Sequence, residues 1–260
     1  MGNLSQISVC IIAKNAQKTL RECLEVLKEF DEVILLDNES TDDTIKIAKD
    51  FSNVKIFSSP FIGFGPLKNL AISKAKNNWI LSLDSDEVLE DEAKQIIATL
   101  KLEKHHIYGI KRKNYYDGTW IKACGWYPDF VWRLFNKTHT IFQDQSVHES
   151  LKISQNTQKI KLNIHLKHYT FFNVSQMLQK LDSYTTLATQ KNIYKKSSVS
   201  KAFLRFLWVF FKDYFLRSGW RYGYKGFIIA WMQANGSFFK YIKIYEKQQQ
   251  EKNTKIDLHP

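Results

Sequence analysis

The stretch Glu32-Val-Ile-Leu-Leu-Asp37-Asn-Glu-Ser-Thr-Asp-Asp-Thr44 is an apolar run that stops on an acid. Four consecutive apolar positions followed by a polar cluster predict a buried strand and its carboxyl-end loop. Ser40 or Thr41 is then expected to cap a helix, with Asp42 and Asp43 in its first turn. Upstream, Ile7–Ala13 is a second such run, and Leu20, Cys23, Leu24 and Leu27 follow a helical stripe. Downstream, Ile45, Ala48 and Phe51 face inward, Val54–Phe57 is a short strand, and Leu67, Leu70, Ala71 and Ala75 mark a third helix. A fourth strand, Trp79–Leu83, runs into Asp84-Ser85-Asp86-Glu87.

Alternation of this kind implies parallel strands with right-handed crossovers. Open sheets of that class bind ligands beyond the carboxyl ends of their strands. Asp37, Asp84 and Asp86 are therefore expected in one crevice. Two carboxylates one residue apart at a strand end can hold a hard divalent cation and its diphosphate. Alone, the pair also fits a solvated turn or the cap of a helix beginning near Val88. No GxGxxG follows the first strand and no GxxxxGK[ST] occurs, which argues against dinucleotide and P-loop sites.

These residues resemble the inverting GT-A glycosyltransferases of family 2. Asp37, Ser40, Asp42 and Thr44 fill that family's D-x-x-S-x-D-x-T pattern, and Asp84-Ser85-Asp86 fills its DxD. Lys68-Asn69 stands where Arg-Asn is more usual, keeping charge without a planar fork. Gly125–Asp129, Arg133-Leu-Phe135 and Val147-His148-Glu149 are similar to one branch, the lipopolysaccharide core β-1,4-glucosyltransferases of the WaaE or LgtF type.

The resemblance implies an α/β fold of GT-A type, a Rossmann-like mixed sheet flanked by helices. It implies transfer of glucose from UDP-glucose to a heptose of the inner core. Asp37 would hold the nucleotide base or ribose, with Ala13 and Asn15 bordering its pocket. Asp84 would face ribose or metal-bound water, and Asp86 the metal, Mg²⁺ or Mn²⁺. Lys68 or Arg133 would add positive charge near the diphosphate, and His168 a late metal ligand or diphosphate contact. Inversion needs one base for the acceptor hydroxyl. Glu149 is the first choice, with Asp144 and Asp129 as alternatives. His148 would orient Glu149 or the acceptor. Trp120, Trp126, Tyr127 and Trp132 would stack on sugar or serve as core rings.

Lys and Arg number 38 against 26 Asp and Glu, a net charge of +12. Between Lys201 and Lys247 lie nine cations, two acids and 16 of the 37 aromatic residues. Charge concentrated there, without a recognisable RNA or DNA module, argues against nucleic acid. Basic residues beside Trp, Tyr and Phe suit a helix in the interface of an anionic membrane, or packing on the catalytic domain or a second copy. A lipid-A-linked core acceptor favours the membrane.

The expected organisation is a catalytic domain over 1–170 and a helical, membrane-associating C-terminal extension over 171–260. In that extension Phe171–Thr189 reads as helical and Gln248–Pro260 is expected to fray. No stretch reaches about 18 apolar residues, so a spanning helix is not expected. The opening residues lack a basic region and a cleavage site, so no signal peptide is expected. Cys10, Cys23 and Cys124 lack metal-ligand spacing and read as reduced thiols. The expected location is the cytoplasm, peripheral on the inner face of the inner membrane. Rival readings are a same-fold transferase using another NDP-sugar with a polyprenyl-phosphate or capsule acceptor, and a non-catalytic protein of the same fold.

Overall fold

The computed structural model describes residues 2–143, 150–192 and 194–257. They fall into two compact units. The first comprises Met1–Lys113 and Pro128–Tyr169, the second Asn114–Tyr127 and Thr170–Pro260.

In the first unit, β1 (Ile7–Ala13), β2 (Glu32–Asp37), β3 (Val54–Ser58) and β4 (Trp79–Asp84) pair in parallel in the order β3-β2-β1-β4. Strand β1 is buried on both faces, and its period of two shows why. Ile7, Val9, Ile11 and Ala13 enter one core, with Leu20, Cys23, Leu24 and Leu27. Cys10 enters the other, with Leu67, Ala71, Ile72 and Ala75. Both faces being covered by helices removes any polar alternation from these strands. The helices are α1 (Leu20–Glu25), α2 (Thr44–Ala48), α3 (Phe64–Lys74) and α4 (Asp91–Thr99).

Beyond β4 the sheet turns antiparallel. Strand β5 is Glu87–Leu89, β6 is His106–Tyr116, β7 is Thr119–Trp120, β8 is Asp129–Asn136 and β9 is Gln158–Phe171. The order continues β4-β8-β6-β9-β5, giving a mixed sheet with helices on both sides. No helix begins near Val88; that residue lies in β5, and α4 starts at Asp91. Strand β5 pairs with β9, Glu87 opposite His168 and Val88 opposite Lys167.

One buried acid braces the opposite end of the parallel strands. Glu32 accepts from Ser8 Oγ at 2.6 Å, Lys55 Nζ at 2.7 Å and the Lys76 backbone N–H at 2.8 Å.

In the second unit, α5 (Val174–Asn192) starts later than the sequence suggests. Asn173 Oδ1 accepts from the Gln176 N–H at 2.9 Å, and Gln176 Oε1 accepts from the Phe172 N–H at 2.8 Å. This reciprocal capping fixes the helix start. Next come α6 (Val199–Phe211), a π turn over Lys212–Leu216, a 3-10 turn over Gly219–Tyr222, and α7 (Gly223–Asp257). The stretch from Gln248 to Asp257 is helical rather than frayed. The Asn114–Tyr127 segment is tied to these helices by Lys225 Nζ on the Asp117 carbonyl at 2.7 Å and Gln233 on the Cys124 carbonyl at 3.0 Å. Among the described residues no helix is long and apolar enough to cross a membrane. All three cysteines are free and buried.

Candidate active site

The ends of β1 and β2 are stitched together by the D-x-x-S-x-D-x-T residues. Ala13 pairs with Asp37 in register, and its carbonyl accepts from the Asn38 N–H at 2.7 Å. Asn15 has φ of 51°, a left-handed turn conformation that Asn tolerates. Its N–H donates to Ser40 Oγ at 2.9 Å, and its Oδ1 accepts from the Thr41 N–H at 2.8 Å. The Ala16 N–H donates to Thr44 Oγ1 at 2.7 Å, and the Gln17 N–H to Asp42 Oδ2 at 3.2 Å. Ser40 and Thr41 therefore do not cap α2. Asp43 holds that position without a side-chain bond, because the loop's polar groups are engaged by the loop after β1.

This stitching leaves Asp37 in an unusual state. Its Oδ2 accepts from the Ser40 N–H at 3.1 Å, while its Oδ1 is buried with no hydrogen-bond partner among the described residues. Asp37 is only 5% exposed. An unmet buried acceptor is costly, of order 1–3 kcal/mol, so the oxygen is suited to a donor brought by a ligand.

At the end of β4, Asp84 and Asp86 have different partners. Asp84 Oδ1 accepts from Lys68 Nζ at 2.8 Å and Oδ2 from Arg133 Nη2 at 2.5 Å. Burial alone would raise its pKa, but Arg133 and Lys68 outweigh burial and hold the carboxyl well below the usual range. Lys68 is buried, not a surface cation, and its ammonium also lies 5.3 Å from the Phe142 ring. Arg133 Nη2 also reaches Glu87 Oε1 at 2.5 Å, and Arg112 Nη1 lies 3.5 Å from the same oxygen. The chain Lys68–Asp84–Arg133–Glu87–Arg112–Asp129 thus alternates in sign across five elements.

Glu87 is a residue that sequence reasoning missed. It is fully buried, and its Oε2 accepts from the Asp84 N–H at 3.1 Å. It thereby holds both the Asp84 backbone and the Arg133 guanidinium. The available signal was an acid directly after DxD and before the apolar pair Val88-Leu89.

Asp86 points to a different partner. Its Oδ2 lies 3.6 Å from His168 Nε2, across the β5–β9 ladder. The Asp86 carbonyl accepts from the Tyr169 N–H at 2.9 Å, and the Ser85 carbonyl from Thr19 Oγ1 at 2.8 Å, so the turn is fixed on both sides. Asp86 is about one-third exposed and His168 nearly buried. One carboxylate oxygen and one imidazole nitrogen fit a divalent cation whose remaining positions go to water and phosphate oxygens. Among the described residues no group of three or more His, Cys, Asp or Glu is placed to hold a metal ion. Both Asp84 oxygens are already in ion pairs, so direct contacts to a cation would fall to Asp86 and His168.

Of the base candidates, Asp129 lies at the start of β8 with Oδ2 bound by Arg112 Nε and Nη2, each at 2.8 Å. That arrangement suits an anchoring anion better than a proton acceptor. Glu149, Asp144 and His148 lie outside the described residues. Trp120 meets Tyr127 edge-on at 5.4 Å, and Trp126 lies against Phe171 at 6.1 Å. Trp132 packs against Gly109, where a Cβ would approach its ring to 3.0 Å.

The family profile described as glycosyl transferase family 2 matches residues 8–203. The chain belongs to this family. This family 2 glycosyltransferase is 28% identical over 264 residues to an uncharacterized glycosyltransferase of Rickettsia typhi, covering 96% of this chain and 90% of the relative. It is 24% identical over 267 residues to the lipopolysaccharide core biosynthesis glycosyltransferase LpsC of Rhizobium meliloti, covering 96% of each. Its fold is similar to that of the mannosyltransferase PcManGT of Pyrobaculum calidifontis, solved with GDP-Man and Mn²⁺. The TM-score is 0.50 at 10% identity, over 94% of this chain and 75% of that one. The mixed sheet with flanking helices is GT-A-like.

Proposed function

We propose that this family 2 glycosyltransferase moves glucose from UDP-glucose, with inversion, onto a heptose of a lipid-A-linked inner-core oligosaccharide. It would use Mg²⁺ or Mn²⁺ and work at the cytoplasmic face of the inner membrane. The observation that carries the reading is the Asp86–His168 pair at the carboxyl end of the parallel strands. Support for a core acceptor comes from the likeness to LpsC along nearly the whole chain.

Within this reading Asp37 Oδ1 accepts a donor N–H or O–H from the uridine. Asp86 and His168 would hold the cation. When bound, the cation supplies Lewis-acid stabilisation of the negative charge on the departing diphosphate. Lys68 and Arg133 hold Asp84 ionised, and Glu87 keeps Arg133 in place. Glu149, by its motif position, takes the proton from the acceptor hydroxyl. The new bond to the anomeric carbon forms as the bond to phosphate breaks, and UDP leaves. The first unit would serve donor chemistry, and the second, which takes Asn114–Tyr127 along with the C-terminal helices, membrane approach.

Release of UDP from a panel of UDP-sugars, with heptose-bearing core acceptors, tests the reading. Turnover of UDP-glucose only when the heptose is present supports it. Turnover with another NDP-sugar and a polyprenyl-phosphate or capsule acceptor replaces the substrate assignment and leaves the family unchanged.

A further inference from the structure

Helix α6 is apolar on both its packed face and its open face. Its Ala202 is fully buried, and Phe206 and Phe210 meet Trp231 of α7 edge-on at 5.1 and 6.0 Å. The other face is also apolar, yet open. Phe203, Leu204, Leu207, Trp208, Phe211 and the following Phe215 are each between 47% and 65% exposed. Residues 203, 207, 211 and 215 recur every fourth position, so they rise along one side, with 204 and 208 beside them. A contiguous apolar surface of this size on a folded chain marks an interaction site.

The charge around that face has one sign. From Val199 to Lys225 the cations are Lys201, Arg205, Lys212, Arg217, Arg221 and Lys225, and the single acid is Asp213. Asp213 is 1% exposed and paired with Arg217 at 3.1 Å, so it offers nothing to an outside partner. Every exposed charge on this segment is therefore positive. Exposed Trp208, Trp220 and Tyr224 add the rings that favour the headgroup level of a bilayer.

We propose that the open face of α6 lies in the plane of an anionic bilayer. Phe203, Leu207 and Phe211 sink among the acyl chains, and the flanking lysines and arginines meet the lipid phosphates. This deepens the membrane-acceptor reading above by naming the surface that docks. Thirteen residues make about 20 Å of helix, too short for a hydrocarbon core of about 30 Å, so the helix lies flat. A second copy is the poorer occupant. A two-fold contact through this face would set one all-positive segment against another.

The test uses the full chain with vesicles of phosphatidylcholine alone or mixed with phosphatidylglycerol. The protein floats with the mixed vesicles at low salt, and Trp fluorescence shifts to the blue. The exposed-face variant Leu207→Ser/Phe211→Ser, with unchanged circular dichroism, binds about tenfold more weakly or less. Lys201→Glu/Arg205→Glu lowers binding and its salt dependence together. Absence of flotation, or equal flotation by the serine variant, overturns the proposal. So does a wild-type dimer, seen by light scattering, that the serine variant turns into a monomer without vesicle binding having occurred. Transfer to a delipidated acceptor in solution is unaffected by these substitutions. Failure of that transfer with flotation intact counts against the glucosyl reading and leaves the docking face standing.

Discussion

The Arg133 guanidinium reaches Glu87, a fully buried carboxylate, at 2.5 Å, and through the same nitrogen also touches Asp84. Removing one partner of a buried pair leaves an uncompensated charge. Glu87→Gln is therefore expected to lower unfolding free energy by about 3 kcal/mol or more. Urea denaturation measures it. A change under about 1 kcal/mol would show that Arg133 does not depend on this acid.

Asp86→Asn is expected to abolish transfer with circular dichroism unchanged. His168→Ala should raise the cation concentration for half-maximal turnover by about 10–100-fold. Titrating Mn²⁺ into chelator-treated enzyme reads both. Full activity of Asp86→Asn in chelating buffer would remove the metal role.

Asp37→Ala removes the unmet carboxylate oxygen. Loss of a charged hydrogen bond to the donor is worth about 1.5–3 kcal/mol, so KM for the UDP-sugar should rise about tenfold or more. The turnover number should change little. An unchanged KM, with isothermal titration showing unchanged UDP affinity, would place the nucleotide elsewhere.

Glu32 gives an acid-limb prediction. Burial alone would raise its pKa, but the bonds from Lys55, Ser8 and the Lys76 N–H outweigh it and lower the carboxyl from its ordinary 4.5. A folded-state value below the unfolded one adds stability above the unfolded pKa. That stability is lost as pH falls through the folded value. Glu32→Gln should flatten the fall in urea midpoint between about pH 5 and about pH 3. An unaltered slope would assign acid sensitivity to other carboxylates.

Gly226, at the start of α7, faces the Gly219 carbonyl, and a Cβ there would stand 1.8 Å from that oxygen. Backbone meets backbone, so no side chain can swing aside. Gly226→Ala is expected to cost about 1–3 kcal/mol and lower Tm by several degrees, read by calorimetry. Wild-type Tm in this variant would mean that the turn relaxes freely.

The parallel half of the sheet was legible because its signals are local. Val9–Ala13 and Val33–Leu36 are unbroken apolar runs bounded by polar residues, as burial on two faces demands. The acid at each strand end could be placed by topology alone. Partners set by register were not legible. Strand β5 has three residues, too few for periodicity, and exists through pairing with β9 far along the chain. Glu87 was given no role because its two arginines lie on β6 and β8. Asp129 read as a candidate base for the same reason, its Arg112 being a cross-strand neighbour. Ser40 and Thr41 read as caps because local rules do not see the loop around Asn15, which takes their hydrogen bonds.

The two residues that would grip a cation are separated in the chain by α4, β6, β7 and β8. Asp86 emerges from the ribosome long before His168, and the two meet only when β9 closes the sheet against β5. A chain that ends before β9 already carries Asp37 and Asp86, yet lacks His168. Cation affinity at these two residues would therefore depend on the pairing of β9 with β5.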